Sequence, residues 1–138
     1  MEVVLHLPVV PNVELVAAKA VETLGSAIGM DRSRVEAASV AIVEACLNAM
    51  EHGGGRMVVR VTSEGEPDRH QLVIEVEDHG DGFDPSSAPQ NSPASVIGSA
   101  SKRGWGLTLI RELMDDVQIR SQPGRTLVRM CKYVESAP

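Results

Sequence analysis

Short stretches of the chain alternate apolar and polar residues, and a period of two predicts β-strands. The first stretch covers residues 2–7. Two more cover residues 56–63 and 70–77, joined by the turn-forming sequence EGEPDR. The last two cover residues 117–121 and 126–134, around a Gln-Pro-Gly-Arg turn. We therefore expect five strands, with the second and third forming an antiparallel hairpin and the last two meeting at a tight turn.

Apolar residues recur at helical spacing in three other stretches, about 12–29, 31–52 and 106–115. Asn12 is of a type that caps the first helix, and the Gly-Gly-Gly run after His52 ends the second. The order β-α-α-β-β-α-β-β lacks regular βαβ alternation. It predicts an α+β fold, a two-layer α/β sandwich with a mixed, mostly antiparallel sheet and helices on one face.

The size and composition narrow the class of protein. The chain has 138 residues, which suits a single domain over residues 1–138. A net charge of −6 with no Lys/Arg-rich run argues against direct binding to nucleic acid. No apolar stretch approaches the length of a membrane span. The two cysteines, Cys46 and Cys131, are expected to be buried thiols. These features predict a cytoplasmic protein that does not enter a membrane.

The second helix carries a polar seam on an otherwise apolar surface. Glu44, Asn48 and His52 are spaced by four residues and share one helix face, with Val40 one turn earlier. The simplest explanation is a solvent-facing side. However, Asn is a poor helix former inside a helix, so its presence points to a function. A carboxylate and a carboxamide oxygen one turn apart are ligands that suit Mg²⁺ beside substrate phosphates.

The sequence VEDHGDGFDP at residues 76–85 follows the third predicted strand and has three possible explanations: a tight turn, a metal loop or a nucleotide pocket. A calcium loop is excluded, because Gly80 and Pro89 occupy the third and twelfth positions counted from Asp78. A turn explains the Asp-Gly pair but not Asp78 at the strand end. Two glycines, Gly80 and Gly82, let a backbone approach a flat ligand closely. Asp78 would then accept a hydrogen bond from an amino group, which favours adenine over guanine.

A third feature follows a region without periodicity. Residues 84–103 are rich in Ser, Ala, Pro, Gly and Asn, and a stretch of this length is typically a functional lid or disordered. Gly104-Trp105-Gly106 then opens the last helix, and the free amides of a helix N-terminus bind anions such as phosphate. The glycine pair is a weak signal alone, and it gains weight from the two elements before it.

Together the three elements, ExxxN on a helix, DxGxG after a strand and GxGL opening a helix, match the N, G1 and G2 boxes of the GHKL (Bergerat-fold) ATPases. The stretches IVEACLNAMEHG, VEDHGDGFD and GWGLTLIRELMDDVQI most resemble the RsbW-type anti-sigma-factor serine kinases, over roughly residues 1–134.

The resemblance implies ATP and Mg²⁺ as cofactors and gives a role to each matching residue. Glu44 would be the general base that accepts the proton of a substrate serine. Asn48 would hold Mg²⁺, and Asp78 would bind the adenine amino group. Further nucleotide contacts would come from Gly80, Gly82, Lys102, Arg103, Gly104, Gly106 and Thr126.

The resemblance also implies a function and partners. The protein would be a serine kinase that sequesters a sigma factor, phosphorylates an anti-anti-sigma antagonist and forms a homodimer. Three alternatives stay open: a nucleotide-dependent binding module that has lost kinase activity, a kinase that holds no sigma factor, and a detached histidine-kinase catalytic domain. The intact Glu44 and Asn48 argue against the first alternative.

Overall fold

The computed structural model describes residues 1–52, 55–66, 69–79 and 106–135. Within these ranges every predicted helix and strand is confirmed, and the largest shift of an end is three residues, in the second strand. The elements are β1 (Glu2–Pro8), α1 (Val13–Ala27), α2 (Arg32–His52), β2 (Arg56–Glu66), β3 (Arg69–Asp78), α3 (Gly106–Leu113), β4 (Asp116–Gln122) and β5 (Arg125–Tyr133).

The strands form one sheet in the order β1-β2-β3-β5-β4. Each neighbouring pair in it is antiparallel, so the described strands include no parallel pair of the kind a mixed sheet would contain. Antiparallel neighbours can be joined by short turns, whereas parallel neighbours need long crossovers. Two pairings join strands that are distant in the chain: β1 pairs with β2 although α1 and α2 lie between them, and β5 pairs with β3 although α3 and β4 lie between them.

Alternate side chains of the strands point to opposite faces of the sheet. On the inner face, Val59, Val76 and Val128 lie opposite one another across three strands, and each is almost fully buried. These side chains join buried residues of the helices, such as Ile42 and Ile110, in one hydrophobic cluster. The predicted two-layer sandwich is therefore confirmed.

The start of α1 differs from the expectation. Asn12 has a left-handed backbone, with φ of 71°, and its side chain makes no capping hydrogen bond. The predicted side-chain cap is wrong, because a capping side chain reaches the first turn from an extended backbone. Asn tolerates the left-handed region better than most residues, and here it serves the turn into the helix.

Polar contacts tie the far end of α3 to the rest of the molecule. Arg34 in α2 donates to Asp115 Oδ2 at 2.8 Å and to the Tyr133 carbonyl oxygen at 2.8 Å. The same Asp115 oxygen accepts a bond from the Tyr133 amide at 2.8 Å. Lys132 donates to the Leu113 carbonyl, one of the carbonyls that a helix end leaves without a partner. We call Arg34, Asp115 and Lys132 the α3 clamp, since they hold α3 against α2 and β5.

Candidate functional site

Two of the predicted elements lie at the same end of the sheet. α2 leads into β2 through residues 53–55, so Asn48, one turn before the helix end, lies near the beginning of β2. Because β2 and β3 are antiparallel, β3 finishes at that same end, with Asp78 opposite Met57. The topology therefore brings the ExxxN helix and the acidic end of β3 together.

The N-terminus of α3 closes directly on α2. A methyl group in place of the Gly106 hydrogen would lie 3.1 Å from Glu44 Oε2 and 3.8 Å from both Asn48 side-chain polar atoms. The 3.1 Å separation is tighter than ordinary van der Waals contact, so a glycine lets the helix end approach the two polar side chains. Glu44 and Asn48 thus face Gly106, the first residue of α3. The backbone amides in the first turn of this helix would point toward an anion bound between the helix end and these two side chains.

A second set of polar side chains lies in the last row of residues on the inner face, at the end of the sheet where β3 finishes. Asp78 lies opposite Thr126, and Thr126 lies opposite Ser121 in the next strand. The Ser121 and Thr126 hydroxyl oxygens are 3.2 Å apart. Asp78 is 3% exposed and Thr126 is 1% exposed. Buried polar side chains of this kind are held by hydrogen bonds, so their positions are well defined.

Ser121 is a candidate that the sequence analysis missed. It lies in a strand of alternating exposure, and nothing in its local sequence marks it. Only the register of the β4–β5 hairpin places it beside Thr126, and pairing that hairpin from the turn residues would have indicated it.

The donor set fits a magnesium ion shared with phosphate groups and does not fit a closed protein cage. Among the described residues, no group of three His, Cys, Asp or Glu side chains could hold a metal. Asn48 is 4% exposed and offers one hard oxygen beside the Glu44 carboxylate. Mg²⁺ is commonly held by one or two protein oxygens, substrate phosphates and water, so this arrangement suits it.

Half of the predicted site residues lie outside the described residues. These are Gly80, Gly82, Lys102, Arg103 and Gly104, together with the predicted lid at about residues 84–103. The structure brings Glu44 to Gly106 and Asp78 to Thr126, while the roles of all ten residues stay predictions.

The two cysteines take no part in this arrangement. Cys46 is fully buried in α2, and its burial, with a smaller effect from the Glu14 carboxylate, raises the pKa of the thiol to about 12. Burial also raises the pKa of Cys131. Both are free thiols, and a buried thiol with a raised pKa is a poor nucleophile.

Within the described ranges, no helix is long and apolar enough to span a bilayer.

Comparison with known sequences identifies relatives along most of the chain. Residues 10–132 match the family of the histidine kinase-like ATPase domain. The serine-protein kinase RsbW of Bacillus velezensis is 29% identical over 137 residues, covering 94% of this chain and 84% of that protein. The serine-protein kinase RsbW of Bacillus subtilis is 30% identical over 120 residues, covering 80% of this chain and 72% of that protein.

Solved structures share the fold. The RsbU and RsbW domains of Rv1364c from Mycobacterium tuberculosis match 96% of this chain with a TM-score of 0.70 at 20% identity, and this chain spans 32% of that longer chain. The SiaB-SiaC complex from Pseudomonas aeruginosa contains a chain that matches 95% of this one with a TM-score of 0.56 at 14% identity, with 89% of that chain covered. The chain belongs to the histidine kinase-like ATPase family and, within it, to the RsbW group of serine-protein kinases.

Proposed function

We propose that this protein is an ATP-dependent serine kinase that also acts as an anti-sigma factor. It would sequester a sigma factor and phosphorylate a serine of an anti-anti-sigma antagonist. The observation that carries the proposal is the approach of Gly106 to Glu44 and Asn48, which puts a helix N-terminus, a carboxylate and a carboxamide around one point. The relatives named serine-protein kinase RsbW support it.

The reaction follows from these groups. The serine oxygen attacks the γ-phosphorus of ATP, a new O–P bond forms, and the bond to the ADP oxygen breaks. Glu44 accepts the serine proton, which requires the hydroxyl to come within about 2.6–3.2 Å of its carboxylate. Asn48 would hold Mg²⁺, which supplies positive charge beside the phosphates when bound. The first amides of α3 would stabilise the same negative charge.

The adenine ring of ATP would lie against the polar row of Asp78, Thr126 and Ser121 at the end of the inner face. Asp78 would accept a hydrogen bond from the adenine amino group, next to Thr126, and the backbone at Gly80 and Gly82 would line the slot. A carbonyl oxygen at the same position, as in guanine, would meet the Asp78 carboxylate unfavourably. Phosphate contacts from Gly104, Lys102 and Arg103, at the end of the predicted lid, complete the proposed site.

We propose a homodimer formed through the edge of the sheet at β1. Beside this strand lies an almost entirely apolar groove of about 610 Å³ between β1 and α1, lined by residues that include Val3, Leu15 and Val16. Leu15 and Val16 are 57% and 49% exposed. An open edge strand flanked by exposed apolar side chains favours pairing with another chain. Because sigma factors work in the cytoplasm, we place the protein there.

The first test asks whether the protein binds ATP selectively. The chain has one tryptophan, Trp105, inside the proposed phosphate-binding element. Mg-ATP and Mg-GTP are titrated into nucleotide-free protein while tryptophan fluorescence and calorimetric heat are followed. Saturable binding of ATP, with much weaker binding of GTP, supports the proposal. Absence of ATP binding in the calorimeter contradicts it.

The second test separates the kinase from its alternatives. Protein, Mg-ATP labelled at the γ-phosphate and candidate antagonist proteins are mixed, and the labelled product is treated with acid. Acid-stable phosphoserine supports the proposal, whereas acid-labile label points to phosphohistidine and a histidine kinase. ATP binding without transfer favours the binding module. A pull-down of sigma subunits then separates the anti-sigma factor from a kinase that holds no sigma factor.

A further inference from the structure

The solvent side of α2 carries apolar side chains directly beside Glu44. Val40 is 45% exposed, and Val43 and Leu47 are half-buried. The spacing of these residues by three and four places them along one side of the helix, and we call the three residues the α2 stripe. The solvent side of a helix in a globular protein is normally polar, so an exposed aliphatic stripe there indicates a contact surface.

The α2 stripe lies between the two neighbouring helices. On one side, Ser39 donates to Glu22 Oε1 of α1 at 3.2 Å. On the other side, Glu44 contacts the first residue of α3 at Gly106. The stripe therefore lies between the contacts that α2 makes with α1 and with α3, with the Glu44 carboxylate on its α3 side.

Exposed carboxylates surround the α2 stripe. Glu36 lies one turn before Val40, Glu51 lies one turn after Leu47, and Glu22 approaches from α1. Arg32 pairs with Glu36 at 3.3 Å, but both side chains are more than half exposed, at 93% and 67%. Such an exposed pair is weak, so a cation of a bound segment can replace Arg32 as the partner of Glu36 at little cost in stability.

We propose that the α2 stripe is the docking surface for the serine-bearing segment of the protein substrate. The segment would have small apolar side chains next to its serine and Lys or Arg side chains farther out, facing Glu22 and Glu36. This inference rests on the proposed kinase function, and it adds where the substrate binds and what sequence it carries there.

The geometry of proton transfer supports this choice of occupant. A general base must come within hydrogen-bond reach of the hydroxyl whose proton it accepts. A serine side chain is short, so the substrate backbone must pass close to Glu44 and cover the residues around it. Val40 and Leu47 are one turn before and about one turn after Glu44 on the same helix. A second copy of the chain would instead cover the β1–α1 groove on the other side of α1.

A matched pair of substitutions tests the proposal. Val40→Glu places a charge in the stripe, and Val10→Glu places the same charge on a valine of equal exposure outside it, 45% against 46%. The probe is the antagonist protein that the unchanged chain phosphorylates. We expect Val40→Glu to raise the KM for this protein by about tenfold or more, because the apolar contact must then bury a charge. Val10→Glu should stay within about twofold, and both variants should bind Mg-ATP normally.

Other results overturn the proposal. Equal KM values for the two variants would exclude the stripe as the substrate surface. An unchanged KM with lost capture of the sigma factor would assign the stripe to that partner instead. If the unchanged chain binds ATP but transfers no phosphate to any antagonist, the kinase function itself fails, and the inference fails with it.

The charge part of the proposal has its own test. Replacing both Glu22 and Glu36 by Lys should raise the same KM several-fold at low salt, and the effect should shrink at high salt because exposed charges are screened. A lower KM in this double variant would mean that the substrate carries acids beside its serine, contrary to the proposal. Circular dichroism and ATP binding verify that each variant is folded.

Discussion

Polar side chains on the two faces of the sheet differ in their burial and in their partners. On the outer face, charged side chains pair with one another: Arg125 with Glu77 at 2.6 Å, and Arg60 with Glu75 at 3.8 Å. On the inner face, Asp78, Thr126 and Ser121 form a polar row at one end of the sheet, and Lys132, which donates to the Leu113 carbonyl, is buried at the other end.

Polar residues of the outer face are in contact with water or with an opposite charge, whereas those of the inner face lie within the hydrophobic core. An exposed charge is hydrated and needs no special partner. A buried carboxylate is unfavourable unless hydrogen bonds hold it, so its presence in a core indicates chemistry. On this basis the inner-face polar residues, together with Glu44 and Asn48 of α2, are the positions where substitutions should matter most.

The largest effect is expected at Glu44. Glu44→Gln keeps the shape of the side chain but removes its ability to accept a proton, so phosphorylation should fall by roughly 10²–10⁴-fold. Binding of Mg-ATP should persist. Phosphate transfer in single-turnover assays measures the effect, with Glu112→Gln at an exposed position of α3 as the control. Normal transfer by the Glu44 variant would remove it from the role of base.

Neighbouring residues on opposite faces provide the next comparison. Asp78→Asn should weaken ATP binding by about tenfold or more, because the carboxylate that we propose as acceptor of the adenine hydrogen bond becomes a neutral amide. Glu77→Gln changes the adjacent residue, which pairs with Arg125 on the outer face, and should leave ATP binding almost unchanged. Calorimetry measures both affinities. Equal losses in the two variants would place the nucleotide elsewhere.

The α3 clamp should contribute strongly to stability. Asp115→Ala leaves Arg34 without its carboxylate partner in a setting where the two side chains are only 16% and 26% exposed. We expect the free energy of unfolding to fall by about 2–3 kcal/mol, close to the range for breaking a buried pair. Denaturant unfolding measures the change. A loss below about 0.5 kcal/mol, the usual size for surface sites, would show that the clamp is dispensable.

Cys46 should make stability depend on pH in the alkaline range. Its folded pKa is raised from 9.0 to about 12, so above pH 9 the unfolded chain loses the thiol proton while the folded chain keeps it. The contribution of Cys46 to the free energy of unfolding is fully present well below pH 9. It declines as the pH rises, by about 1 kcal/mol between pH 9 and pH 10. Unfolding curves of the unchanged protein and of Cys46→Ala measure it. Identical slopes in the two proteins would contradict the prediction.

The smallest effect is expected on the outer face. Arg60 has contacts with Glu2 at 3.7 Å and Glu75 at 3.8 Å, and its side chain is 44% exposed. Arg60→Ala should lower the free energy of unfolding by less than about 1 kcal/mol, since exposed pairs contribute little. The same denaturant experiment compares it with Asp115→Ala. A loss as large as that of the clamp would remove the distinction between the two faces.

Much of the molecule could be predicted from local patterns. Strands and helices follow from periods of two and of about 3.6 residues, and these periods come from where successive side chains point. The candidate residues Glu44, Asn48 and Asp78 stand out in the same way, because each is of an unexpected type at its place in the pattern. The expected Asn12 cap failed because a residue type alone does not determine the backbone angle at a turn.

The tertiary structure decided what no local pattern contains. Pairing of β3 with β5 puts Asp78 opposite Thr126, 48 positions later in the chain, and brings in Ser121. The close approach of Gly106 to Glu44 depends on how α3 packs against α2. The sequence by itself therefore determined the elements and the chemical groups they carry, which are properties of neighbouring residues. Their arrangement around one point came only from the folded chain, because strand register and helix packing are set by contacts between residues far apart in sequence.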